Sequence, residues 1–568
     1  MQKLRLLPDI ISCLNKWIFF FILWSFSHAF LASEFYESRE WLNLLYYEKK
    51  GTTYLSLAES PDFFVSPEGK TNPKLEYEAC LALTKKQDPE FKKKFPLRYK
   101  RLTAHHQFPF EPLVYPNLKI QSMVLAYPNK YMQNPTSMFG HLFLIMNSQY
   151  GFLDSDIFHY LADTQDSTNY AINGITGKFK GWFLTEPYYK KIKDYLYLED
   201  RDVIYYDLNL SQNQIEDFQL HALELKNTYF YYYFFDRNCA FFIGKALNIV
   251  LDSDVVSRQL VVFPSSVANA LVKQKITKNQ YKKPLRTSLF QETFTSLSSQ
   301  EKQDVFKLMS EKIDVPSYNP TVLTAFLYLS ESGINQKPDL ASTIRYNRIQ
   351  AYTALKGRPV RPLFGNPTPP SFIPSKGLEL SFKDSFSLRY QPILYSQYEN
   401  FNALTIKETN FLSPALFVSH DQKPKLDFTV VDMSSITPHD FFFRPYSWSL
   451  SSRFLYQDTL MTNQSFKIGK AFALHNQQLL MTLIGLDYSN YDTLIERKKD
   501  TLSLKPSLLL GLKTLAFPPY LNTELSYHYQ YDTHYLSASI FLKLSSFIVT
   551  TSYIHPHETL TLKGHYLF

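Results

Sequence analysis

The C-terminal third of the chain alternates apolar and polar residues over one strand-length segment after another. Segments such as LELSFKDSFSLRY, WSLSSRFLY and YLSASIFLKLS have a period of two, which is typical of strands with two different faces. Alternation over strands of about ten residues is what a membrane β-barrel requires, because lipid-exposed sheet edges cannot stay unpaired. We therefore expect an antiparallel β-barrel of about 8–12 strands over residues 377–568, with a soluble β-sandwich as the alternative.

The last predicted strand favours the barrel over the sandwich. It runs to Phe568, and Tyr566 and Leu562 fall on one face of it. A final strand that ends in an aromatic residue is typical of outer-membrane barrels, because their insertion machinery recognises it. The expected place of the barrel is therefore the outer membrane.

The N-terminus has the pattern of an export signal. Lys3, Arg5 and Lys16 precede the apolar run WIFFFILW, and Ser27 and Ala29 supply the small residues of a cleavage point after Ser27-His28-Ala29. The apolar run is short for a membrane span, so we expect residues 1–29 to be cleaved, with a retained membrane anchor as the alternative.

Cleavage would remove one of the three cysteines, Cys13, and leave Cys80 and Cys239. In an exported protein these two could form a structural disulfide, and they could equally be two inert thiols or include one reactive cysteine. No CxxC or His/Cys cluster indicates a metal site, and no cofactor motif is present, so we expect neither a metal nor a cofactor.

The charges exclude few functions but argue against nucleic-acid binding. The formal net charge of +8 comes from 60 basic and 52 acidic residues, so the surface is only mildly basic. The densest basic segment, TKKQDPEFKKKFPLRYKR at residues 84–101, is interpreted as a solvated face.

The pattern divides the rest of the chain into two segments and a joint, giving an α+β fold. Residues 34–112 are mostly helical in pattern, and residues 113–360 mix strands with helices. A proline-rich linker, residues 361–376, separates these from the predicted barrel.

Cys239 opens a predicted helix directly after Asp236, Arg237 and Asn238, which include suitable capping residues. In the first turn of a helix, free N–H groups and the helix dipole favour a thiolate, as a nucleophile requires. The same position also suits a buried, inert thiol, so the local sequence leaves both interpretations open.

A nucleophilic thiol needs a base, and His141 at the start of a predicted apolar strand is the candidate. If the strands around His141 and His159 form a hairpin that turns near Tyr150, the two histidines lie opposite each other. His159 would then orient the ring of His141. Other candidates for that orienting role are Asp163, Asn173 and Glu199.

Four motifs in this order resemble the Lnb N-terminal periplasmic domain family of bacterial envelope proteins. They are NPTSMFGHLFL, GITGKFKGWFLTEPYY, YLEDRDVIYYDLNLS and YFYYYFFDRNCAFF. The segment upstream of them resembles the helical module that precedes this domain in proteobacterial members. The resemblance covers about residues 38–360.

The resemblance implies a papain-like thiol fold in permuted order, with the histidine before the cysteine. His141 and Cys239 match the motif histidine and cysteine, and His159 occupies a strand position where members carry a polar residue. The usual serine after the cysteine is Ala240 here, which puts details of the oxyanion or substrate site in doubt.

The family's association with lipoprotein N-acylation implies a thiol acyltransferase, with its domain in the periplasm. A phospholipid would donate the acyl chain, and a lipoprotein N-terminus or another amine would accept it. Phe234, Phe235, Phe241 and Phe242 would line an acyl channel or would simply be core residues.

Two other functions fit the same residues. One is a cysteine amidase or peptidase that acts on peptidoglycan or on envelope peptides, since a fold does not choose its substrate. The other is a non-catalytic outer-membrane barrel with a periplasmic docking domain.

Overall fold

The computed structural model describes most of the chain between Phe35 and Leu567. The described residues are 35–109, 120–128, 140–148, 151–164, 169–188, 190, 203–257, 259, 261–283, 289–290, 293–294, 296–331, 340–355, 376–383, 385–395, 406–418, 423–439, 445–474, 478–492, 497–515, 521–530, 533–556 and 558–567. The predicted export signal, residues 1–29, and nearly all of the predicted linker, residues 361–376, lie outside these ranges. Within them, no helix combines the length and the apolar character needed to cross a membrane.

The described ranges contain helices and strands in the mixture expected of an α+β protein. The helices are α1 (Arg39–Leu44), α2 (Pro73–Lys85), α3 (Pro89–Lys94), α4 (Pro96–His106), α5 (Tyr170–Thr176), α6 (Gln212–Glu224), α7 (Cys239–Asn248), α8 (Pro264–Lys273), α9 (Ser299–Ser310), α10 (Pro320–Glu331) and α11 (Ala341–Ala354). The strands before the linker are β1 (Tyr47–Lys50), β2 (Thr53–Ser56), β3 (Ile120–Pro128), β4 (Phe143–Ser148), β5 (Gly151–Ala162), β6 (Phe179–Pro187), β7 (Val203–Leu208), β8 (Tyr229–Tyr232) and β9 (Thr277–Lys283). The strands after it are β10 (Gly377–Phe382), β11 (Phe386–Gln391), β12 (Ile393–Tyr395), β13 (Ile406–Val418), β14 (Lys425–Ile436), β15 (Ser447–Tyr456), β16 (Leu460–Ala473), β17 (Gln478–Asp492), β18 (Arg497–Leu515), β19 (Leu521–Gln530), β20 (Thr533–Leu544), β21 (Phe547–His555) and β22 (Thr559–Leu567).

The N-terminal segment is mainly helical, as its pattern predicts, with a short β1–β2 hairpin added. Its helices begin at local caps: the side chain of Asn72 accepts a hydrogen bond from the Leu75 N–H, and Pro73 occupies the first turn of α2. Its buried residues, Trp41 and Leu97 among them, belong to the same apolar cluster as Phe242 of α7. The helical segment and the following α/β segment therefore share one core.

The basic segment 84–101 is only partly a solvated face. Lys93 and Lys94 are exposed, as expected. Arg98, in α4, has 0% of its surface exposed, so for this residue the interpretation was wrong. Two buried carboxylates hold its guanidinium in the interior, a pairing that the sequence pattern does not reveal.

Seven strands form a fully antiparallel sheet in the order β8-β6-β5-β4-β3-β7-β9. Helix α7 contacts β4 and β5 on one face, in the large apolar cluster that also contains α6. Helix α6 begins with the capping box of Ser211 and Gln214. The opposite face of the sheet carries a second apolar cluster, which includes Phe143 and Ile157.

Helices α9, α10 and α11 pack around a separate apolar cluster. They lie at the end of the segment 113–360, which the sequence pattern predicts to mix strands with helices. The Asn347 side chain of α11 donates hydrogen bonds to the carbonyl oxygens of Leu308 (2.8 Å) and Glu311 (2.6 Å) at the end of α9. These bonds fix which side of α11 faces the cluster.

The C-terminal segment is a closed antiparallel barrel of twelve strands, β10, β11 and β13–β22. Pairing of β10 with β22 and of β11 with β13 joins the ends of the sheet. The prediction of a barrel with about 8–12 strands is therefore confirmed, and the sandwich alternative is wrong, because closure leaves no free sheet edge.

The two faces of the barrel wall differ in polarity. On β22, Leu560, Leu562 and Tyr566 are exposed on the outside, as the predicted alternation requires. Lys563 and His565 lie on the inner face, next to a polar cavity of about 530 Å³ inside the barrel. An apolar outside and a polar inside are the distribution of a membrane-spanning barrel.

Candidate active site

Cys239 is the first residue of α7, and the cap that precedes it is fixed by several hydrogen bonds. The Asn238 Oδ1 atom accepts from the N–H groups of Ala240 (3.0 Å) and Phe241 (3.2 Å). Its Nδ2 atom donates to the carbonyl oxygen of Val262 at 2.7 Å. The predicted helix start is thus confirmed, with Asn238 as the cap, and Cys239 lies at the positive end of a buried helix.

Two glycines make room for the loop that leads to Cys239. A Cβ atom at Gly174 would lie 2.2 Å from the ring of Phe234, and one at Gly177 would lie 2.1 Å from the ring of Tyr233. The Phe234 N–H also donates to the Gly174 carbonyl at 2.9 Å. Gly174 and Gly177 of the motif GITGKFKG therefore leave space for the aromatic rings of the loop before Cys239. More than sixty residues separate these glycines from Cys239 in the chain.

His141 lies two residues before the start of β4, beside the sulfur of Cys239. Its Nδ1 atom is 3.1 Å from Cys239 Sγ, and its own N–H donates to the Pro128 carbonyl at 3.3 Å. The preceding Gly140 has a φ of +86°, a backbone conformation that favours glycine. The structure thus brings together the two residues that the sequence singled out as a pair.

His159 lies on β5, close to His141 but not directly opposite it. Its partner across the β4–β5 pair is Phe143, and the two histidine rings meet edge to face with centroids 6.5 Å apart. The Nε2 atom of His159 is 3.0 Å from Glu186 Oε1 on β6. His159 is fully buried.

The expected pairing of His159 with His141 was wrong by two residues because of an irregularity near the turn. Ser148 pairs with Gly151, but the next pair is Met146 with Asp156, so β5 gains extra residues there. A shift of two residues keeps the side chain on the same face of the sheet. The rings of His141 and His159 are therefore close to each other, as predicted, although the register differs.

The other candidates for orienting His141 lie elsewhere or outside the described residues. The Asp163 N–H donates to the Lys180 carbonyl at the far end of β5, and the Asp163 side chain is exposed. Asn173 lies in α5, where its carbonyl accepts from the Lys178 N–H. Glu199 falls outside the described residues.

The Tyr232 hydroxyl also donates a hydrogen bond to the sulfur of Cys239. The sequence did not single out this residue, because the run YFYYYFF contains four tyrosines. The Tyr232 ring stacks on Tyr160 at a centroid distance of 5.7 Å. The Tyr160 hydroxyl donates to the Phe230 carbonyl at 3.2 Å, and a Cβ atom at Gly181 would lie 2.0 Å from that hydroxyl oxygen. Gly181 and Tyr160 therefore hold the tyrosine that faces Cys239.

Burial raises the pKa of the Cys239 thiol to about 11, even though four donors favour the thiolate. The donors are the Leu142 N–H, the Tyr232 hydroxyl and the N–H groups of Ala240 and Cys239. The helix terminus does act in the expected direction, but the loss of hydration outweighs it. Cys239 is therefore a neutral thiol at neutral pH, and it needs a base to become a nucleophile.

The four phenylalanines near Cys239 fall into two groups. Phe241 and Phe242 are buried in the core, and the ring of Phe242 packs against that of Tyr160 at 4.4 Å. Phe234 and Phe235, before the helix, are only half-buried. The core interpretation thus applies to the first pair, and the second pair remains a candidate lining for a substrate.

The raised pKa predicts how Cys239 reacts with an alkylating reagent. A thiol with this pKa is about one part in 10⁴ thiolate at pH 7, so the rate with iodoacetamide should rise about tenfold per pH unit between about pH 6 and 9. Mass spectrometry of the peptide that contains Cys239 measures this rate, and Cys239→Ser gives the background from buried Cys80. A rate that is flat over this range would indicate a thiolate–imidazolium pair at rest and would contradict the prediction.

The two cysteines that remain after the predicted cleavage are both free and buried, so the disulfide alternative for Cys80 and Cys239 is wrong. Within the described part of the chain, no group of three or more His, Cys, Asp or Glu side chains lies in an arrangement that could hold a metal ion.

Residues 110–274 match the model of the Lnb N-terminal periplasmic domain. The resemblance inferred from the four motifs is therefore confirmed for the segment that contains His141, His159 and Cys239. Residues 33–105 match a domain of unknown function, DUF7843. No curated protein matches the chain.

Among solved structures, the chain has a match to the Acinetobacter baumannii outer membrane protein Omp33. The match has 10% sequence identity and a TM-score of 0.20, and it covers 34% of this chain and 98% of that one.

Proposed function

We propose that the protein is an envelope thiol acyltransferase, in which Cys239 carries an acyl chain and His141 moves the protons. The observation that carries the proposal is the 3.1 Å contact between Cys239 Sγ and His141 Nδ1 at the start of α7. Donors converge on that sulfur from the backbone and from Tyr232. A nucleophile, a base and hydrogen-bond donors around one atom are the parts that acyl transfer requires.

In the first step the Cys239 sulfur attacks the ester carbonyl of a phospholipid while His141 Nδ1 takes the thiol proton. The Cys239 N–H at the start of α7 and the Tyr232 hydroxyl, both directed at the sulfur, supply donors for the negative oxygen of the tetrahedral intermediate. The carbon–oxygen bond then breaks, and His141 gives its proton to the departing alcohol, which is a lysophospholipid. The acyl chain remains on Cys239 as a thioester.

In the second step an amine attacks the thioester carbonyl and loses a proton to His141. The carbon–sulfur bond breaks, an amide forms, and His141 returns the proton to the sulfur. The burial that disfavours a thiolate suits this cycle, because both the resting thiol and the thioester are uncharged. Water must be excluded for the amine to win over hydrolysis, and the buried position of Cys239 favours that outcome.

The proposed location follows from both halves of the chain. The family that residues 110–274 match is a periplasmic domain, and the barrel has the apolar outside of a membrane-spanning protein. An outer-membrane barrel with the thiol domain in the periplasm would keep phospholipid within reach. A lipoprotein N-terminus is the proposed acceptor, and half-buried Phe234 and Phe235 are candidates to line the acyl chain.

His159 is proposed as a positioning residue for His141. Its ring meets the His141 ring edge to face, and Glu186 lies on its other side. Ala240 cannot supply the hydroxyl that a serine would, but its N–H remains one of the donors near the sulfur. The proposed oxyanion site therefore depends on backbone groups and Tyr232, and a side chain at position 240 is not required.

The test is intact-mass analysis of the full-length protein purified from membranes, with and without hydroxylamine. The expected result is an added acyl mass that maps to Cys239 and disappears with hydroxylamine, since thioesters are cleaved by it. Cys80→Ala should keep the added mass, and Cys239→Ala should lose it. These two variants are matched, because each removes one buried thiol.

Two outcomes would contradict the proposal in favour of the alternatives. Absence of the adduct, together with cleavage of peptide amides that requires Cys239, would indicate the amidase. Absence of the adduct and an unchanged phenotype of Cys239→Ala at normal protein level would indicate the docking role.

A further inference from the structure

The N-terminal module, residues 35–109, contacts the edge of the sheet that lies next to Cys239. Strand β8 is the last strand at that edge, with β6 on one side of it. On its other side, Ala58 forms an antiparallel bridge with Phe230, and the Glu59 N–H donates to the Tyr229 carbonyl at 2.9 Å. The module therefore covers an edge that would otherwise offer unpaired backbone groups.

Ser60 of the module holds the start of β8 with two hydrogen bonds. Its Oγ atom accepts from the Tyr229 N–H at 3.0 Å and donates to the Asn227 carbonyl at 3.3 Å. Ser60 is buried. Tyr232 is the last residue of this four-residue strand, and its hydroxyl donates to the sulfur of Cys239. A displacement of β8 would therefore move this donor away from the sulfur.

Glu48 of the module holds the loop between β8 and α7. Arg237 Nη2 donates to the buried Glu48 Oε2 at 3.4 Å, and the Arg237 carbonyl accepts from the Tyr233 N–H at 3.1 Å. The next residue, Asn238, is the cap of the helix that Cys239 begins. The module thus contacts the chain on both sides of Tyr232, once at the start of β8 and once just before the cap.

We infer that the N-terminal module is a positioning element for the thiol of Cys239. Ser60 acts through β8 on Tyr232, and Glu48 acts through the loop before α7. Both residues act through others, so they are positioning residues and not catalytic residues. The inference gives a role to the segment that matches DUF7843, and it rests on the proposed function only for the identity of the nucleophile.

The experiment is a double-mutant cycle on the full-length protein in detergent micelles, with the alkylation rate of Cys239 by iodoacetamide at pH 8 as the readout. Ser60→Ala removes the hydroxyl that holds β8, Tyr232→Phe removes the donor at the sulfur, and a third variant combines the two changes. Thr84→Val is the matched control, because the buried Thr84 hydroxyl donates only within α2, to the Cys80 carbonyl. Hydroxylamine treatment first frees any acylated thiol. Since alkylation does not require acyl transfer, this test can fail while the proposed function stands.

Tyr232→Phe should slow alkylation about tenfold, because loss of a donor to the thiolate raises the pKa of Cys239 further. Ser60→Ala should slow it about three- to tenfold in the wild type, but less than about twofold when Tyr232→Phe is present. Ser60→Thr keeps a hydroxyl and should restore the rate, and Thr84→Val should leave it unchanged. Equal slowing by Ser60→Ala in both backgrounds, or none, would overturn the inference. So would faster alkylation, since local unfolding exposes a thiol.

A second cycle tests the contact of Glu48. Glu48→Gln should slow alkylation about threefold, because the loop that leads to the N–H donors of α7 is then held less firmly. This effect should disappear when Arg237→Gln is present. Effects of the two variants that simply add would overturn the assignment of Glu48 as a positioning residue.

Discussion

Replacing His141 by glutamine is expected to lower the rate of acyl transfer about 10³- to 10⁴-fold at pH 7. Glutamine keeps a polar side chain of similar size but cannot take the proton of the Cys239 thiol. Without a base, only the thiolate already present can react, and with the pKa raised to about 11 this is about one part in 10⁴ at pH 7. The size of the loss expected from general-base catalysis and the size expected from the thiolate fraction therefore agree.

The pH dependence separates this cause from simple misfolding. In His141→Gln the remaining rate should rise about tenfold per pH unit between about pH 7 and 9, because it follows the thiolate fraction. The measurement is transfer of a labelled acyl chain from phospholipid to the N-terminal amine of a lipopeptide. His105→Gln, which removes an exposed imidazole from α4, is the control.

Loss of activity in His141→Gln without that rise in rate would indicate damage to the site rather than loss of the base. A loss of less than about tenfold would contradict the assignment of His141 as base. A melting temperature equal to that of wild type would show that the variant is folded.

Much of this arrangement is predictable from local sequence, since local rules decide it. The period of two and the length of the C-terminal strands predict a barrel, because only closure satisfies every backbone group in lipid. Ser211 as a cap, and Cys239 at the start of a helix, follow from residue type and spacing. The pairing of Cys239 with His141 also follows once the motifs are recognised together.

The remaining features depend on contacts between distant segments, which a single sequence does not display. The irregularity in β5 that moves His159 from His141 to Phe143 is one of these. The role of Gly181 is another, because the glycine matters only through the ring of Tyr160 that lies against it. Arg98 is the clearest case, since it lies in a segment rich in basic residues, some of them exposed, while its partners are more than twenty residues away.

Replacing Arg98 by methionine is expected to destabilise the shared core by about 3–5 kcal/mol. Arg98 Nη1 donates to Glu76 Oε1 at 3.2 Å and to the Phe63 carbonyl at 2.8 Å, and Arg98 Nε lies 3.3 Å from Glu224 Oε2. All three charged side chains have 0% of their surface exposed. Methionine would fill the volume but would leave two buried carboxylates without their cation.

Hydrogen exchange of the amides of α2, α4 and α6 in the full-length protein measures this effect. The matched control is Arg101→Met on the same helix, whose ion pairs with Asp217 and Glu40 are partly exposed. Exposed pairs contribute about 1 kcal/mol or less, and removing a partner from a partly exposed pair leaves less buried charge than Arg98→Met does, so exchange in the control should be much slower than in Arg98→Met. If the two variants exchange alike, the buried charge network does not hold this core together.

A triple variant separates the charge effect from the packing effect. Adding Glu76→Gln and Glu224→Gln to Arg98→Met removes the unpaired charges, so slow exchange should partly return. Glu76, Arg98 and Glu224 lie on α2, α4 and α6, and the last of these helices belongs to the same apolar cluster as α7. Arg98→Met should therefore lower acylation of Cys239 in proportion to the unfolded fraction, and should leave the pH dependence of the folded fraction unchanged. A changed pH dependence would instead mean that the N-terminal helices contribute directly to the environment of the thiol.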